Sequence, residues 1–374
     1  MKGFDELYTE IEGKAKGTMI RNVFSDMSKT GNEKLILYGA GGNCESAFFL
    51  CAYMNTKVKC ICDSYAEGTV LFRNEVYDII SPERLVSNEK DAYVLITSWK
   101  YENEIYEALL EKGFPKDNIY FLRCPWSVSV EEFREKYFGG YRWVYDFLED
   151  EGSKQKVIDR IKLLLLGLPC SPDSEYKDGY FGYSGLLLDE NETYVDGGGY
   201  IGDSAEEFII NARKNGRQYR HIYSFEPDRE ICKTAETNLQ QYENVEMVSA
   251  GLWNKTTQLQ FFMKQESMAS GFCEEAGGKS IFVPVVSLDE FFEGKDETEW
   301  PTTIKLDIEG SEKEALLGAA KVIQTKKPKL VICVYHKPED IYELIQVILD
   351  ICPDYSFKLW QIGESFFDMI LYAI

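Results

Sequence analysis

The chain is short of histidine, short of positive charge relative to negative, and without a long apolar run, and each shortage narrows what it can do. Two histidines in 374 residues leave only two candidates for an imidazole base. Lys and Arg number 41 against 63 Asp and Glu, a formal net charge of −22 at pH 7. A surface this acidic repels nucleic acid and anionic lipid, so a small-molecule partner is expected. The longest apolar candidate, "IKLLLLGLP", falls far short of the roughly 20 residues a membrane-spanning helix needs. The opening "MKGFDELYTE" is acidic and has no apolar centre, so no secretory signal is read there and a cytoplasmic location is expected. Ten cysteines include no C-x-x-C pair; Cys60 and Cys62 share one face of a strand, and buried free thiols are the reading. No tandem repeat or low-complexity tract is present.

What is there is alternation. A chain of this length exceeds one ordinary core, and two compact domains are expected. "KLILYGAGG" reads as a buried strand entering a glycine turn, with a helix from Asn43 to Met54 behind it. "VKCICD" and "AYVLITS" are further strands, and Glu102 to Lys112 a helix closed by Gly113. Such alternation implies a parallel sheet covered on both faces. It stops between residues 125 and 189, where aromatic and helical text reads as a packed connector and lid. It restarts with "TYVD", a helix from Asp203 to Asn215, "HIYSFE", a helix from Asp228 to Tyr242 and "VEMVSAGLW". "QLQFFM", "IFVPVVSL", "TTIKLD", a helix from Lys313 to Gln324 and "KLVICVYH" follow, and "YSFKLWQ" with "FDMILYAI" closes the chain as an antiparallel hairpin on a parallel sheet. The expected fold is α/β: two doubly wound domains, residues 1–124 and 190–374, joined by a helical connector over 125–189.

The stretch "TYVDGGGYIGDS" carries the most chemistry. Gly197, Gly199 and Gly202 fit the dinucleotide pattern G-x-G-x-x-G, yet Asp196 stands directly before the first glycine. Ligands of open α/β sheets sit beyond the carboxyl ends of the strands. Acidic residues occupy such ends four times: Asp196, Glu226 in "IYSFE", and Asp307 and Glu309 in "IKLDIEG". A diphosphate there would meet like charge, and one such pair at about 4 Å costs about 4 kcal/mol at an effective dielectric near 20. S-adenosylmethionine suits these ends better, with a positive sulfonium, a positive amino group, a ribose that needs an acidic acceptor, and no phosphate. Gly197 and Gly199 would let the backbone approach that ligand, Gly202 would let the next helix start against the sheet, and Glu226 would grip the ribose.

The pieces "YVDGGGYIGDS", "IYSFEPDREICKTAETNL", "VSLDEFF", "TIKLDIEGSEKEALLGA", "PKLVICVYHKPEDI" and "FDMILYAI" run in order over most of Glu192 to Ile374. In that order they resemble the FkbM family of S-adenosylmethionine-dependent methyltransferases, which act mainly as O-methyltransferases on sugars and natural products. The resemblance implies a seven-stranded Rossmann-like methyltransferase fold with Asp196, Gly197, Gly199 and Glu226 at the cofactor. Where the family often has alanine after the first loop glycine, this chain has Gly198, which is expected to loosen the loop.

Methyl transfer to a hydroxyl is an in-line displacement that needs alignment and usually a base. His336 ends "KLVICVYH" on the ligand side of the sheet, whereas His221 begins a strand at the opposite edge. His336 is therefore the candidate base, with a structural histidine as the alternative, and Asp307 and Glu309 stand beside it as candidate catalytic residues. Asp307, Glu309 and His336 are also of the types that hold a divalent metal, although no metal is expected. In the first domain Gly39, Gly41 and Gly42 form a turn preceded by Tyr38, open to phosphate, and Asp63 could take a ribose. This half resembles the nucleotide-sugar-binding N-terminal domain of bacterial sugar acyltransferases; a ligand-free scaffold is the alternative. Together these readings describe an O-methyltransferase of a sugar, nucleotide-sugar or glycan precursor, serving carbohydrate or polysaccharide biosynthesis. The rivals are a non-catalytic nucleotide-binding scaffold and a nicotinamide-dependent oxidoreductase.

Overall fold

The computed structural model describes residues 3–16, 23–41, 43–72, 75–124, 127–174, 179–263, 279–363 and 367–374. These fall into two compact units: the described residues up to 130 with 159–170, and 131–158, 171–263 and those from 279 onward. The connector read from the sequence over 125–189 is thus divided between them.

The first unit is built on strands β1 (Leu35–Tyr38), β2 (Val58–Cys62), β3 (Gly68–Phe72), β4 (Glu75–Ile80), β5 (Tyr93–Ile96) and β6 (Ile119–Phe121), in the order β3-β4-β2-β1-β5-β6. All neighbours are parallel except β3 and β4. β1 is buried along its whole length, as a central strand covered on both faces must be, which is why it is written "LILY". The helix Pro82–Asn88 starts where the Ser81 side chain accepts from the Arg84 amide, with Pro82 in the first turn. The β3–β4 hairpin was not among the expected strands, although its β-branched and aromatic text carries a strand signal.

The second unit holds β7 (Asn191–Gly197), β8 (Gln218–Phe225), β9 (Val245–Val248), β10 (Gly251–Leu252), β11 (Thr257–Met263), β12 (Lys279–Val286), β13 (Thr303–Leu306), β14 (Lys329–Cys333), β15 (Phe357–Gln361) and β16 (Met369–Ala373). Seven of them form one sheet in the order β15-β16-β14-β13-β7-β8-β9, and β10, β12 and β11 make a separate small sheet. Only β16 runs against its neighbours in the large sheet, so the terminal hairpin is present, with β16 set inside β15. Strand order reverses between β7 and β13, which makes their carboxyl ends the place where a ligand can enter. The core beneath packs Tyr194, Phe208, Ile222, Ile370 and Tyr372.

The helix expected over Lys313–Gln324 is two helices, Glu312–Leu317 and Ala320–Lys326. The break sits at Gly318, where any Cβ would fall on the Trp253 carbonyl. The second helix is capped from elsewhere, the Asp289 carboxylate accepting from the Lys321 and Val322 amides at 3.0 and 2.9 Å.

Candidate functional site

The glycine loop leaves β7 between two strands that hold it by its backbone. Gly198 and Gly199 amides donate to the Phe225 carbonyl at 3.1 and 3.0 Å, and the Asp307 amide donates to the Gly197 carbonyl at 3.1 Å. Gly198 has φ +77°, and a Cβ there would land on the Asp307 carbonyl oxygen. That closeness corrects the expectation of a loosened loop: the position has room for glycine alone. Gly202 has φ +91° and opens the helix Asp203–Lys214, its missing Cβ facing Leu239 at 2.8 Å.

Asp196 does not face a ligand, contrary to the reading of its sequence position. It is fully buried, paired with Lys305 Nζ at 3.1 Å, and it accepts from Ser204 Oγ at 2.9 Å and Ser224 Oγ at 3.0 Å. Lys305 lies opposite Asp196 on β13 and also donates to the Gly198 carbonyl at 2.8 Å, so the pair fastens the loop from below. Burial alone would weaken the ammonium's charge, but Asp196 and Asp307 outweigh it and hold the lysine protonated. Sequence reading missed Lys305, although a lysine inside a buried strand signals a partnered charge.

Glu226 sits just past β8, beside the loop and almost buried, accepting from the Asp228 amide at 2.9 Å and the Tyr200 amide at 3.2 Å. Burial pushes its carboxyl up to about 7. Across the loop, Asp307 follows β13 and is gripped on both oxygens: Tyr180 OH donates to Oδ2 at 2.6 Å and Tyr335 OH to Oδ1 at 3.0 Å. Burial would raise the Asp307 carboxyl, but His336, Lys305 and Tyr180 overrule it and hold it well below the usual range. Glu309 is the more open of the two carboxylates and has a left-handed backbone, φ +55°.

His336 is brought to this cluster by the end of β14. Its ring is nearly buried, with Nε2 3.3 Å from Asp307 and 3.7 Å from Glu309, and Nδ1 3.0 Å from Glu312. Burial favours the neutral ring, while Glu312, Asp307 and Glu309 together outweigh it and raise its pKa well above the usual value. His221 lies at the far edge, 3.6 Å from Glu246. The acid that completes the cluster is buried Glu312, which accepts from the Ile308 amide at 2.9 Å, rather than Glu309. One ligand atom each from Asp307, Glu312 and His336 lie within 4.8 Å of one another, a grouping of the types that can hold a divalent ion, with Glu312 in place of the expected Glu309.

In the first unit, Gly39 has φ +122° and lies against Thr97, and Gly41 is open; Gly42 lies outside the described residues. Asp63 is turned onto its own loop, accepting from the Ala40, Tyr65 and Ala66 amides, each at 2.8 Å. Burial opposes its charge and the three amides outweigh burial, lowering its pKa. The Ala40 amide is thereby committed to Asp63, while Oδ2 keeps one acceptor site.

Residues 196–359 match the model of the methyltransferase FkbM domain. This segment carries a methyltransferase domain. The match removes the nicotinamide-dependent oxidoreductase reading, and the acidic ends at Glu226 and Asp307 suit S-adenosylmethionine. Residues 31–120 match the model of the C2185-like N-terminal domain, which does not confirm the resemblance to sugar acyltransferases. The methyltransferase FkbM from Methylobacillus flagellatus KT has a similar fold: TM-score 0.65 and 22% identity over 99% of each chain. Fibrillarin from Aeropyrum pernix, with S-adenosyl-L-methionine natively bound, is 11% identical over 50% of this chain and 70% of its own, with a TM-score of 0.32. No curated protein matches. Among the described residues no helix is long and apolar enough to cross a membrane.

Proposed function

We propose that the chain is an S-adenosylmethionine-dependent O-methyltransferase acting on a hydroxyl of a sugar, nucleotide-sugar or glycan precursor. The observation that carries this reading is the pair of carboxylates, Glu226 and Asp307, on two strand ends flanking one glycine loop, with the nearby ammonium of Lys305 committed beneath it. The bound donor supplies an activated methyl on a positive sulfur. Glu226 would accept from the ribose hydroxyls, and the loop glycines would admit the backbone close to the ligand. Asp307 would face the donor, and Glu309 and His336 would orient the acceptor hydroxyl and take its proton. Alignment of the acceptor with the methyl group then supplies much of the acceleration.

The test is label transfer: the full chain is incubated with methyl-deuterated S-adenosylmethionine and a panel of sugars and nucleotide-sugars, and products are read by mass spectrometry. Label on a sugar oxygen is the expected result. Transfer to nitrogen or carbon alone would replace the O-methyl reading. Tight S-adenosylhomocysteine binding with no transfer to any panel member would favour the non-catalytic scaffold. For the first unit, the Ala40 amide already committed to Asp63 favours a scaffold role over nucleotide-sugar binding.

A further inference from the structure

The stretch ahead of the methyltransferase match reaches into the site through Tyr180. The Phe181 amide donates to Glu207 Oε1 at 3.0 Å, the Phe181 carbonyl accepts from Asn211 Nδ2 at 3.1 Å, and the Tyr180 carbonyl accepts from Tyr372 OH at 2.8 Å. The Phe181 ring is buried against Tyr194 and Phe208, with centroids 5.6 and 5.2 Å apart. Gly179 has φ +54°, and a Cβ there would fall on the Glu207 carboxylate. Three polar anchors and a buried ring on two residues fix one result: the Tyr180 hydroxyl lies 2.6 Å from Asp307 Oδ2, with its ring 5.0 Å from Lys305 Nζ.

We infer that Tyr180 is a positioning residue for the methyl donor: with Tyr335 it locks the Asp307 carboxylate toward the donor's positive sulfur, and Glu207, Asn211 and Tyr372 hold Tyr180 in place. Each carboxylate oxygen has two acceptor sites; Tyr335 and His336 lie at Oδ1, whereas Tyr180 takes one site of Oδ2, leaving that oxygen's other site beside the glycine loop. The inference rests on the reading of the donor as S-adenosylmethionine. It distinguishes two ligands that differ by a methyl and one charge, S-adenosylmethionine being positive at sulfur and S-adenosylhomocysteine neutral there.

Calorimetry on the full chain with both ligands tests it. In Tyr180→Phe, which keeps the ring, S-adenosylmethionine should bind about five-fold more weakly while S-adenosylhomocysteine stays within about two-fold of wild type. Glu207→Ala should lower the same ratio, and Glu207→Gln, which can still accept from the Phe181 amide, should restore it. A purely structural Tyr180 would weaken both ligands together, and that result overturns the inference, as does an unchanged ratio. A wild-type chain that binds neither ligand defeats the donor reading itself and the inference with it. Binding of both by wild type with an indifferent Tyr180→Phe defeats the inference alone.

Discussion

Glu226 is a side chain of the candidate site whose charge is decided near neutral pH. Its carboxyl is raised to about 7 by burial, which the Asp228 and Tyr200 amides only partly offset. Relative to an ordinary glutamate, ionising it inside the fold costs on the order of 3 kcal/mol. The sign follows from which state holds the proton: between the usual glutamate value of 4.5 and about 7 the folded chain keeps it and the unfolded chain has released it. Glu226 therefore favours the ligand-free fold at low pH, and that contribution is lost as pH rises through the window. Glu207, raised to about 7 mainly by burial, acts in the same direction. Ribose hydroxyls donate, so they favour the ionised carboxylate. S-adenosylhomocysteine should accordingly bind up to about ten-fold more tightly at pH about 8 than at pH about 6, and Glu226→Gln should flatten that slope. A wild-type affinity independent of pH would remove Glu226 from the ribose site.

The element on which the site depends is the turn from β7 into the helix Asp203–Lys214, squeezed between the ends of β8 and β13. Because Gly198 combines a positive φ with a carbonyl where a Cβ would stand, Gly198→Ala should cost on the order of 3 kcal/mol, measured by urea unfolding, and weaken S-adenosylhomocysteine at least about ten-fold. Gly41→Ala is the control, since its Cβ would meet open space and its stability should hardly change. A tolerant Gly198 would mean that the loop yields. This element was legible in the sequence because its signals are local: strand text, glycines at fixed offsets, a helix behind. The acidic strand ends were legible for the same reason, as was the alternation that gives both large sheets. What those ends do was not, because their partners are remote in sequence. Asp196 looks like a ligand residue until Lys305, on another strand, is seen beneath it, and Tyr180 meets Asp307 across 127 residues without any local signature. His336 does lie beside Asp307 and Glu309, yet its nearest carboxylate is Glu312, at 3.0 Å, which sequence reading did not single out. The broken helix at Gly318 likewise answers to the Trp253 carbonyl, a contact no helical periodicity encodes.

At the scale of the whole molecule the surplus of acid decides how the fold answers to salt. Every one of the 41 Lys and Arg could be paired and 22 carboxylates would still lack a counter-charge. Many pairs that do form are solvent-exposed, such as Lys34 with Asp91, Lys112 with Glu83 and Lys233 with Glu230. Pairs of that kind contribute about 0–1 kcal/mol each, so screening them removes little. Screening the unpaired acids removes the larger, long-range repulsion, over a distance that shrinks to about 10 Å at about 0.1 M salt. Raising sodium chloride from about 10 to about 200 mM should therefore raise the thermal midpoint, and a midpoint that falls would show that the ion pairs outweigh the net charge. S-adenosylhomocysteine acts differently, through binding: at about 100 times its dissociation constant it adds about 2.7 kcal/mol to whatever unit holds it. Since Glu226, Asp307 and the glycine loop all belong to the second unit, hydrogen exchange with this ligand present should slow in β7, β8 and β13 and stay unchanged in β1, β2 and β5. Protection gained in the first unit's strands instead would place the ligand at the Gly39 turn.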